Sequence, residues 1–231
     1  MNVNGRRTSL AIATTALVLI AAACGGSNDT APLTAATLEA VPGSNAQVGT
    51  VGQALAAPIA VQVLAANGSP VAGVLVTWAI QSGGGSTSVA TTKTDADGTA
   101  TVAWTLGTIA GTDSLIASVD GATAIALFAT ANAGPAVALV KVSGDQQTVA
   151  AGSASQPLVV KAVDAYGNAV AGVTVAWIPE NGGVLGAQTS VTGSDGTTQD
   201  ALTADTATTY LVMAELQSDA TIEATFTEVV D

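Results

Sequence analysis

The chain lacks histidine and has one cysteine, Cys24, and these two features exclude much of enzyme chemistry. Without histidine, neither a Ser-His-Asp nor a Cys-His catalytic device can form, and zinc sites built on histidine or on several thiolates are excluded as well. Because there is no second cysteine, no disulfide can form within the chain. We therefore predict domains that are held by packing alone, with no catalytic residue and no cofactor.

Basic residues are scarce as well. Five Lys and Arg stand against 17 Asp and Glu, and the formal net charge is −12. A protein that binds the phosphates of a nucleic acid needs clusters of Lys and Arg. We therefore predict that nucleic acid is not a partner, and that the acidity serves solubility.

Aromatic residues make up only 3% of the chain, whereas small and β-branched residues are abundant. This composition is typical of many short strands joined by Gly-rich turns, and it predicts an all-β fold. The shortage of aromatics argues against a glycosidase that uses Asp95 with Asp97, or Asp195 with Asp200, because sugar-cleaving sites usually stack their substrate on aromatic rings. We therefore predict that the chain is not an enzyme.

The N-terminus has the organisation of an export signal. Arg6 and Arg7 precede an apolar run over 10–23, which is shorter than the roughly 20 residues of a transmembrane helix. Residues 21–25, Ala-Ala-Ala-Cys-Gly, resemble the lipobox of bacterial lipoproteins, in which small residues precede a cysteine that receives a lipid. The resemblance implies a membrane anchor of acyl chains on Cys24. The alternative is an ordinary secretory signal that is cut after an Ala-x-Ala, with Cys24 left as a free thiol.

Two segments follow from this interpretation: a signal peptide over 1–23 and a flexible tether over 24–37. The tether is rich in Gly, Ser, Asn and Thr, which is typical of a linker. Gly25 stands where an Asp would, under the common sorting rule, retain a lipoprotein in the inner membrane. We therefore expect the protein at the outer membrane or the cell surface.

A sequence repeat divides the rest of the chain. The segment Gly68–Trp78 recurs 99 residues later as Gly167–Trp177, and Asp97–Thr99 recurs as Asp195–Thr197 after a slip of one residue. Similarity that keeps its register over this length indicates two copies of one domain. The predicted domains are 38–132 and 133–231.

Within each copy, apolar residues alternate with polar ones, which predicts half-buried strands. Trp78, Trp104 and Trp177 all fall on the predicted inward faces and are expected in the core. For Tyr166 and Tyr210 we favour packing at a strand edge, with an exposed contact to a sugar or a protein as the alternative. The dipeptide Asp-Gly at 97–98 and again at 195–196 predicts a hairpin between the strands on either side of it.

These patterns resemble the bacterial immunoglobulin-like group 1 domain, which occurs in tandem in surface adhesins of the intimin and invasin type. The motifs that carry the resemblance are Ala133–Pro135, Ser143–Gln147 and Asp164–Val173 in the second copy, and Gly68–Trp78 and Thr94–Gly98 in the first. The resemblance implies two tandem antiparallel β-sandwiches, each with a buried tryptophan, Trp78 or Trp177. In that family the repeated domains mostly form a stiff stalk, whereas the tip performs recognition.

Asp95, Asp97 and Asp164 are candidates for calcium ligands, because they lie at turns where carboxylates can gather. Calcium needs about six to eight oxygen ligands, and each local cluster offers only two or three. Asp is also a preferred turn residue, since its carboxylate accepts hydrogen bonds from nearby backbone amides. We therefore favour a role in the turns and predict no metal site.

Together these features predict a non-enzymatic lipoprotein of the cell envelope whose two Ig-like domains act as a structural or adhesive surface module. The expected partners are the membrane, through the lipid on Cys24, and a protein or glycan on another surface. Two alternatives remain open at this point: a periplasmic accessory or carbohydrate-binding module, and a spacer with no specific ligand.

Overall fold

The computed structural model describes residue 1 and residues 32–231, and every regular element in these residues is a β-strand. In this part of the chain there is no helix of the length and apolarity that a membrane crossing requires. The predicted signal peptide, Cys24 and most of the predicted tether lie outside the described residues. The predicted all-β fold is confirmed.

Twenty strands form two domains. The strands of the first domain are β1 (Thr37–Ala40), β2 (Gln47–Thr50), β3 (Ile59–Leu64), β4 (Leu75–Ser82), β5 (Ser86–Thr87), β6 (Thr91–Lys93), β7 (Thr99–Val102), β8 (Trp104–Thr105), β9 (Gly111–Ser118) and β10 (Ile125–Asn132). The strands of the second domain are β11 (Ala138–Ser143), β12 (Thr148–Val149), β13 (Leu158–Val163), β14 (Thr174–Pro179), β15 (Val184–Leu185), β16 (Thr189–Val191), β17 (Thr197–Asp200), β18 (Leu202–Thr203), β19 (Thr209–Leu216) and β20 (Asp219–Val230).

The two domains have the same topology, strand for strand. In the first, a three-stranded sheet of order β1-β3-β7 faces a five-stranded sheet of order β2-β10-β9-β4-β6, and β5 pairs with β8. In the second, the corresponding sheets are β11-β13-β17 and β12-β20-β19-β14-β16, and β15 pairs with β18. Each domain is therefore a two-sheet sandwich of the immunoglobulin-like kind, as the repeat predicts.

One strand pair in each domain is parallel. β2 pairs with β10, and β12 pairs with β20, whereas the other pairs of named strands are antiparallel. The chain leaves β1 in one sheet, turns, and continues as β2 at the edge of the other sheet. The short strands β2 and β12 therefore close the edges beside β10 and β20, which are the last strands of their domains.

The core lies between the two sheets of each domain, and the alternation of the strands decides which side chains enter it. Trp78 and Trp177 are buried, and their ring N–H groups donate to Thr92 Oγ1 (2.8 Å) and Ser190 Oγ (2.7 Å) on the neighbouring strand. Trp104 is 1% exposed, and its ring nitrogen has no hydrogen-bond partner among the described residues. All three tryptophans therefore pack in the interior.

The predicted Asp-Gly hairpins are wrong. β6 pairs with β4, whereas β7 pairs with β3 in the opposite sheet, so the turn between β6 and β7 carries the chain across the sandwich. The Thr94 N–H donates to Val74 O (2.9 Å) on the five-stranded side, whereas Gly98 O accepts the Val63 N–H (2.8 Å) on the other side. The second domain repeats this arrangement, with β16 on β14 and β17 on β13. An Asp-Gly pair specifies a tight turn, but the packing of the flanking strands decides which sheet each one joins.

Gly98 offers a test of this crossover turn. Its φ is +70°, and an added Cβ would lie 2.6 Å from Val63 O, whereas the Cβ of an alanine at Gly68 (φ +80°) would meet no atom within 4 Å. We expect Gly98→Ala to lower the free energy of unfolding of the first domain by about 3 kcal/mol, since it adds a backbone clash to the strain of positive φ. Gly68→Ala carries the strain alone and should cost about 1 kcal/mol.

The measurement is urea unfolding of both variants, followed by the fluorescence of Trp78 and Trp104 in a Trp177→Phe background. Equal losses for Gly98→Ala and Gly68→Ala would contradict the tight docking of this turn on β3.

Candidate functional site

The junction between the two domains contains Asp164 and Tyr166, which the sequence singles out, and Asp164 organises it. This residue follows β13 and is 3% exposed. Its Oδ1 accepts the N–H groups of Tyr166 (2.9 Å) and Asn168 (2.8 Å), and its Oδ2 accepts the N–H of Gly134 (2.9 Å) in the segment that links the domains. One carboxylate therefore fixes both the turn after β13 and the linker.

The pKa of Asp164 reflects these bonds. Burial raises the pKa of the carboxyl, but hydrogen bonds from the Asn168 side chain and from the N–H groups of Gly134, Asn168 and Tyr166 outweigh burial and hold the pKa below its usual value. The group is therefore ionised at neutral pH, which is the state that accepts hydrogen bonds at both oxygens.

Asn168 connects the turn to the first domain. Its side-chain Nδ2 donates to Thr108 O (2.9 Å), and its Oδ1 accepts the Ala110 N–H (2.9 Å), so the amide bonds a backbone acceptor and a backbone donor of the loop between β8 and β9. The same Nδ2 also donates to Asp164 Oδ2 (2.9 Å), which holds the side chain in the bridging position. An amide can satisfy all of these bonds because it carries both a donor and an acceptor.

Tyr166 forms the second contact across the junction. A Cβ on Gly52 of the first domain would lie 2.5 Å from the Tyr166 hydroxyl oxygen and 3.1 Å from the adjacent ring carbon, so the ring packs directly against the glycine backbone. Tyr166 is nevertheless 53% exposed, because only the tip of its ring is covered. The small residue at Gly52 is therefore a requirement of this contact.

The domains are also joined around two shallow grooves. One, of about 220 Å³, lies between the segment 50–53 of the first domain and the segments 134–137 and 164–166 of the second. The other, of about 480 Å³, lies between residues 110–111 and 130–133 on one side and 169–171 on the other. Residues 33–231 accordingly form one compact unit.

Of the calcium candidates Asp95, Asp97 and Asp164, the carboxylates of Asp95 and Asp164 accept hydrogen bonds from backbone N–H groups, whereas Asp97 contributes its own N–H to the turn. Asp95 Oδ1 accepts the N–H groups of Asp97 (2.9 Å) and Thr99 (2.9 Å), which is the same role that Asp164 Oδ1 has in its own turn. Within residue 1 and residues 32–231, no group of three or more His, Cys, Asp or Glu side chains is arranged to hold a metal.

Asp195 and Asp200, the second carboxylate pair considered for glycoside hydrolysis, also accept hydrogen bonds from the backbone. Asp195 Oδ1 accepts the Thr197 N–H (3.0 Å) in the crossover turn, and Asp200 accepts the N–H groups of Gly186 (3.0 Å) and Ala187 (3.1 Å). These bonds use the carboxylate oxygens that a sugar-cleaving pair would need for protons and water.

The two tyrosines that were candidates for exposure differ. Tyr166 is exposed and lies at the junction, whereas Tyr210 is 5% exposed, and its hydroxyl donates to Thr206 O (3.1 Å). The alternative of an exposed contact therefore fails for Tyr210, which β19 places in the core of the second domain. Besides Tyr166, the aromatic residue with the largest exposure is Phe128, at 44% on β10 of the first domain.

Sequence reasoning missed the bridge from Asn168 to the first domain, although the repeat contains a signal for it. Along the constant offset of 99, Asp164, Tyr166 and Asn168 of the second copy align with three residues that have other chemistry in the first: Ala65, Asn67 and Ser69. The two equivalent loops differ in sequence at these positions because only the loop of the second copy faces another domain. That difference is the signal that could have located the junction.

Comparison with known proteins agrees with this architecture. Residues 139–227 match the model of the bacterial Ig-like domain, group 1. The second domain is a group 1 bacterial Ig-like domain. The first domain repeats its strand order and much of its sequence, so the chain carries two Ig-like domains of this type in tandem. No curated protein matches the chain in sequence.

Solved structures share the tandem Ig-like fold. FdeC, an Escherichia coli adhesin, has a TM-score of 0.51 at 17% identity, over 86% of this chain and 65% of that structure. InvD of Yersinia pseudotuberculosis has a TM-score of 0.51 at 20% identity, over 84% of this chain and 56% of that structure. The D0-D1 domain of intimin is 22% identical, with a TM-score of 0.33 over 83% of this chain and 97% of that structure. This chain spans less than two thirds of the FdeC and InvD structures, and at these identities the likeness shows the fold alone.

Asn168 offers a direct test of the junction. Asn168→Asp keeps the size of the side chain and the acceptor for Ala110, but it removes the donor to Thr108 O and places a second carboxylate beside Asp164. We expect the contact between the Ig-like domains to weaken by about 2 kcal/mol, because the hydrogen bond to Thr108 O is lost and like charges meet. Asn67→Asp is the matched control, since Asn67 Oδ1 only accepts the Ser69 N–H (3.0 Å), which a carboxylate also accepts.

The measurement is the distribution of distances between spin labels attached to Val89→Cys and Val184→Cys, one exposed position in each domain, in a Cys24→Ser background. Asn168→Asp should broaden the distribution, whereas Asn67→Asp should leave it unchanged. A narrow distribution in Asn168→Asp would show that the amide does not hold the domains.

Proposed function

We propose that this chain is a non-enzymatic component of the cell envelope, anchored by a lipid on Cys24, in which two Ig-like domains act as a stiff structural or adhesive surface module. The observation that carries the proposal is the bridge made by Asn168 between the domains. Bonds to backbone groups on the far side restrict the angle at which the second domain leaves the first. A module that positions something at a distance from a membrane requires this restriction.

The comparisons support the same class of function. FdeC is an adhesin, and its Ig-like domains share this fold. Three of the carboxylates weighed for catalysis, Asp95, Asp195 and Asp200, accept hydrogen bonds from backbone amides, which favours a module without catalytic chemistry. Each domain has a packed apolar core, which is the main source of stability in a domain of this kind.

A carbohydrate-binding role receives less support. Modules that bind polysaccharides on a surface commonly present grouped aromatic rings, yet Phe128 and Tyr166 lie in different domains, and the tip of Tyr166 is used by the contact to Gly52. We therefore favour a protein partner over a glycan. Two alternatives, a periplasmic location and a spacer that binds no ligand, are outcomes of the test below.

Protease accessibility on intact bacterial cells that express the full chain tests the proposal. We expect an added protease to remove the Ig-like domains without opening the outer envelope, and we expect Cys24→Ala to shift the protein from the membrane fraction to a soluble fraction. The readouts are immunoblots of the domains and the intact mass of the membrane-bound form, which should include the lipid. A periplasmic marker protein serves as the control for envelope integrity.

Protection from protease until the envelope is opened would overturn the surface position and favour a periplasmic scaffold. The lipid anchor would be overturned if Cys24→Ala stayed in the membrane fraction and the membrane-bound protein lacked the added mass of a lipid. Both results are independent of the junction, which the Asn168 variants test separately.

A further inference from the structure

Glu228 is a carboxyl group in the core of the second domain. It lies on β20 between Phe226 and Val230, and all three side chains point inward. Glu228 is 0% exposed. Ala129 holds the same place in the first domain, because the edge strands β2 and β12 pair with β10 and β20 in the same register. Equivalent core positions therefore hold a methyl group in one domain and an acid in the other. The first domain has a buried acid of its own, Asp113, which lies opposite Ala129 where the second domain has Tyr210 opposite Glu228, and Asp113 Oδ2 accepts the Gly107 N–H (2.8 Å).

Within the described residues, neither Glu228 Oε1 nor Oε2 has a partner in hydrogen-bond geometry, and the backbone amide of Gln147 gives the carboxyl group only weak support. An unpaired charge in a protein interior is very unfavourable, whereas a neutral carboxylic acid is tolerated far better. The folded second domain therefore favours the protonated form of Glu228.

The charged groups on the surrounding elements reinforce this preference. Asp145, in the turn before β12, adds a negative charge near Glu228, and Lys141 on β11 is already paired with Asp145 and also donates to Thr225 O (3.0 Å). On β19, Tyr210 lies directly opposite Glu228, and its hydroxyl donates to Thr206 instead. None of these groups supplies the positive partner that an ionised Glu228 would need.

We propose that Glu228 is a proton-operated switch in the second Ig-like domain: with its proton the domain is closed, and loss of the proton opens the edge formed by β12 and the end of β20. This edge borders the strand that carries Glu228, and it is held by little structure, because β12 has only two residues and forms the border of its sheet. Its attachment depends on a few backbone bonds, such as Gln146 N–H to Thr227 O (2.8 Å) and Val229 N–H to Gln147 O (2.9 Å).

The pH range follows from the titration of this group. Burial raises the pKa of Glu228 from 4.5 to about 7, and the negative charge of Asp145 contributes to this rise. The backbone amide of Gln147 lowers the pKa, but by less. Between these values the folded domain keeps a proton that the opened or unfolded form has released, so stability falls as the pH rises from about 4.5 to 7 and stays low above 7. The hydrogen bond from Lys141 lowers the pKa of Asp145 below 3.8, so that group titrates outside this range.

Hydrogen exchange of the full chain, measured by mass spectrometry between pH 5 and pH 8, tests the proposal, with the first domain as an internal reference. After correction for the intrinsic exchange rate, protection in peptides that cover 145–151 and 225–230 should fall by about tenfold or more across this range. Protection in the equivalent peptides, 45–51 and 126–131, should not show this fall, because Ala129 has no proton to lose and the buried acid opposite it, Asp113, accepts the Gly107 N–H (2.8 Å).

Three variants sharpen the test. Glu228→Gln cannot ionise and should remove the pH dependence of the second domain, whereas Glu223→Gln, an exposed position on the same strand, should leave it unchanged. Asp145→Asn should move the transition to lower pH, because it removes the charge that raises the pKa of Glu228. If Glu228→Gln does not fold, Glu228→Ala, which installs the residue used by the first domain, replaces it.

A constant ratio of protection between the two domains from pH 5 to pH 8 would overturn the proposal. So would a pH dependence of the second domain that persists in Glu228→Gln or Glu228→Ala.

Discussion

The burial of one face of every strand between two sheets is the constraint on which this molecule depends. There is no disulfide within the chain, and few aromatic side chains are available, so small and β-branched residues fill most of each interior around a central tryptophan. The ring N–H groups of Trp78 and Trp177 each find a hydroxyl on the neighbouring strand, so the polar end of each ring is satisfied. Because the packed sheets hold each domain together, the loops can form contacts that the fold itself does not require.

The loop after β13 forms such contacts at the junction between the domains. Asp164 has the same turn-forming role as Asp95 and differs in one further bond, from its second carboxylate oxygen to the linker at Gly134. Asn168 then extends the network to the backbone of the first domain. Because the contacts reach backbone groups, they depend on the path of the facing loop more than on its side chains. Asp164, which the sequence offers as a candidate metal ligand, therefore helps to hold the two domains together.

Glu228 illustrates the opposite case, in which one side chain opposes the packing. A carboxyl group among buried apolar residues is stable only in its neutral form, and the matching position in the first domain is an alanine. The repeat makes this contrast informative, since the two domains are otherwise built on the same plan. The first domain also buries an acid, Asp113, but Asp113 Oδ2 accepts a backbone N–H, whereas within the described residues neither oxygen of Glu228 has a partner in hydrogen-bond geometry.

The sequence by itself determined the all-β class, the two copies of the domain and the inward position of the tryptophans, because alternation and repetition are local properties that survive without a structure. It failed at the turns containing Gly98 and Gly196, where an Asp-Gly pair predicts a hairpin but the chain crosses between sheets. Only the tertiary structure decided that crossing, the bridge from Asn168 and the isolation of Glu228. Each of these depends on which distant backbone or side chain lies opposite, and that information is set by the packing of the sheets.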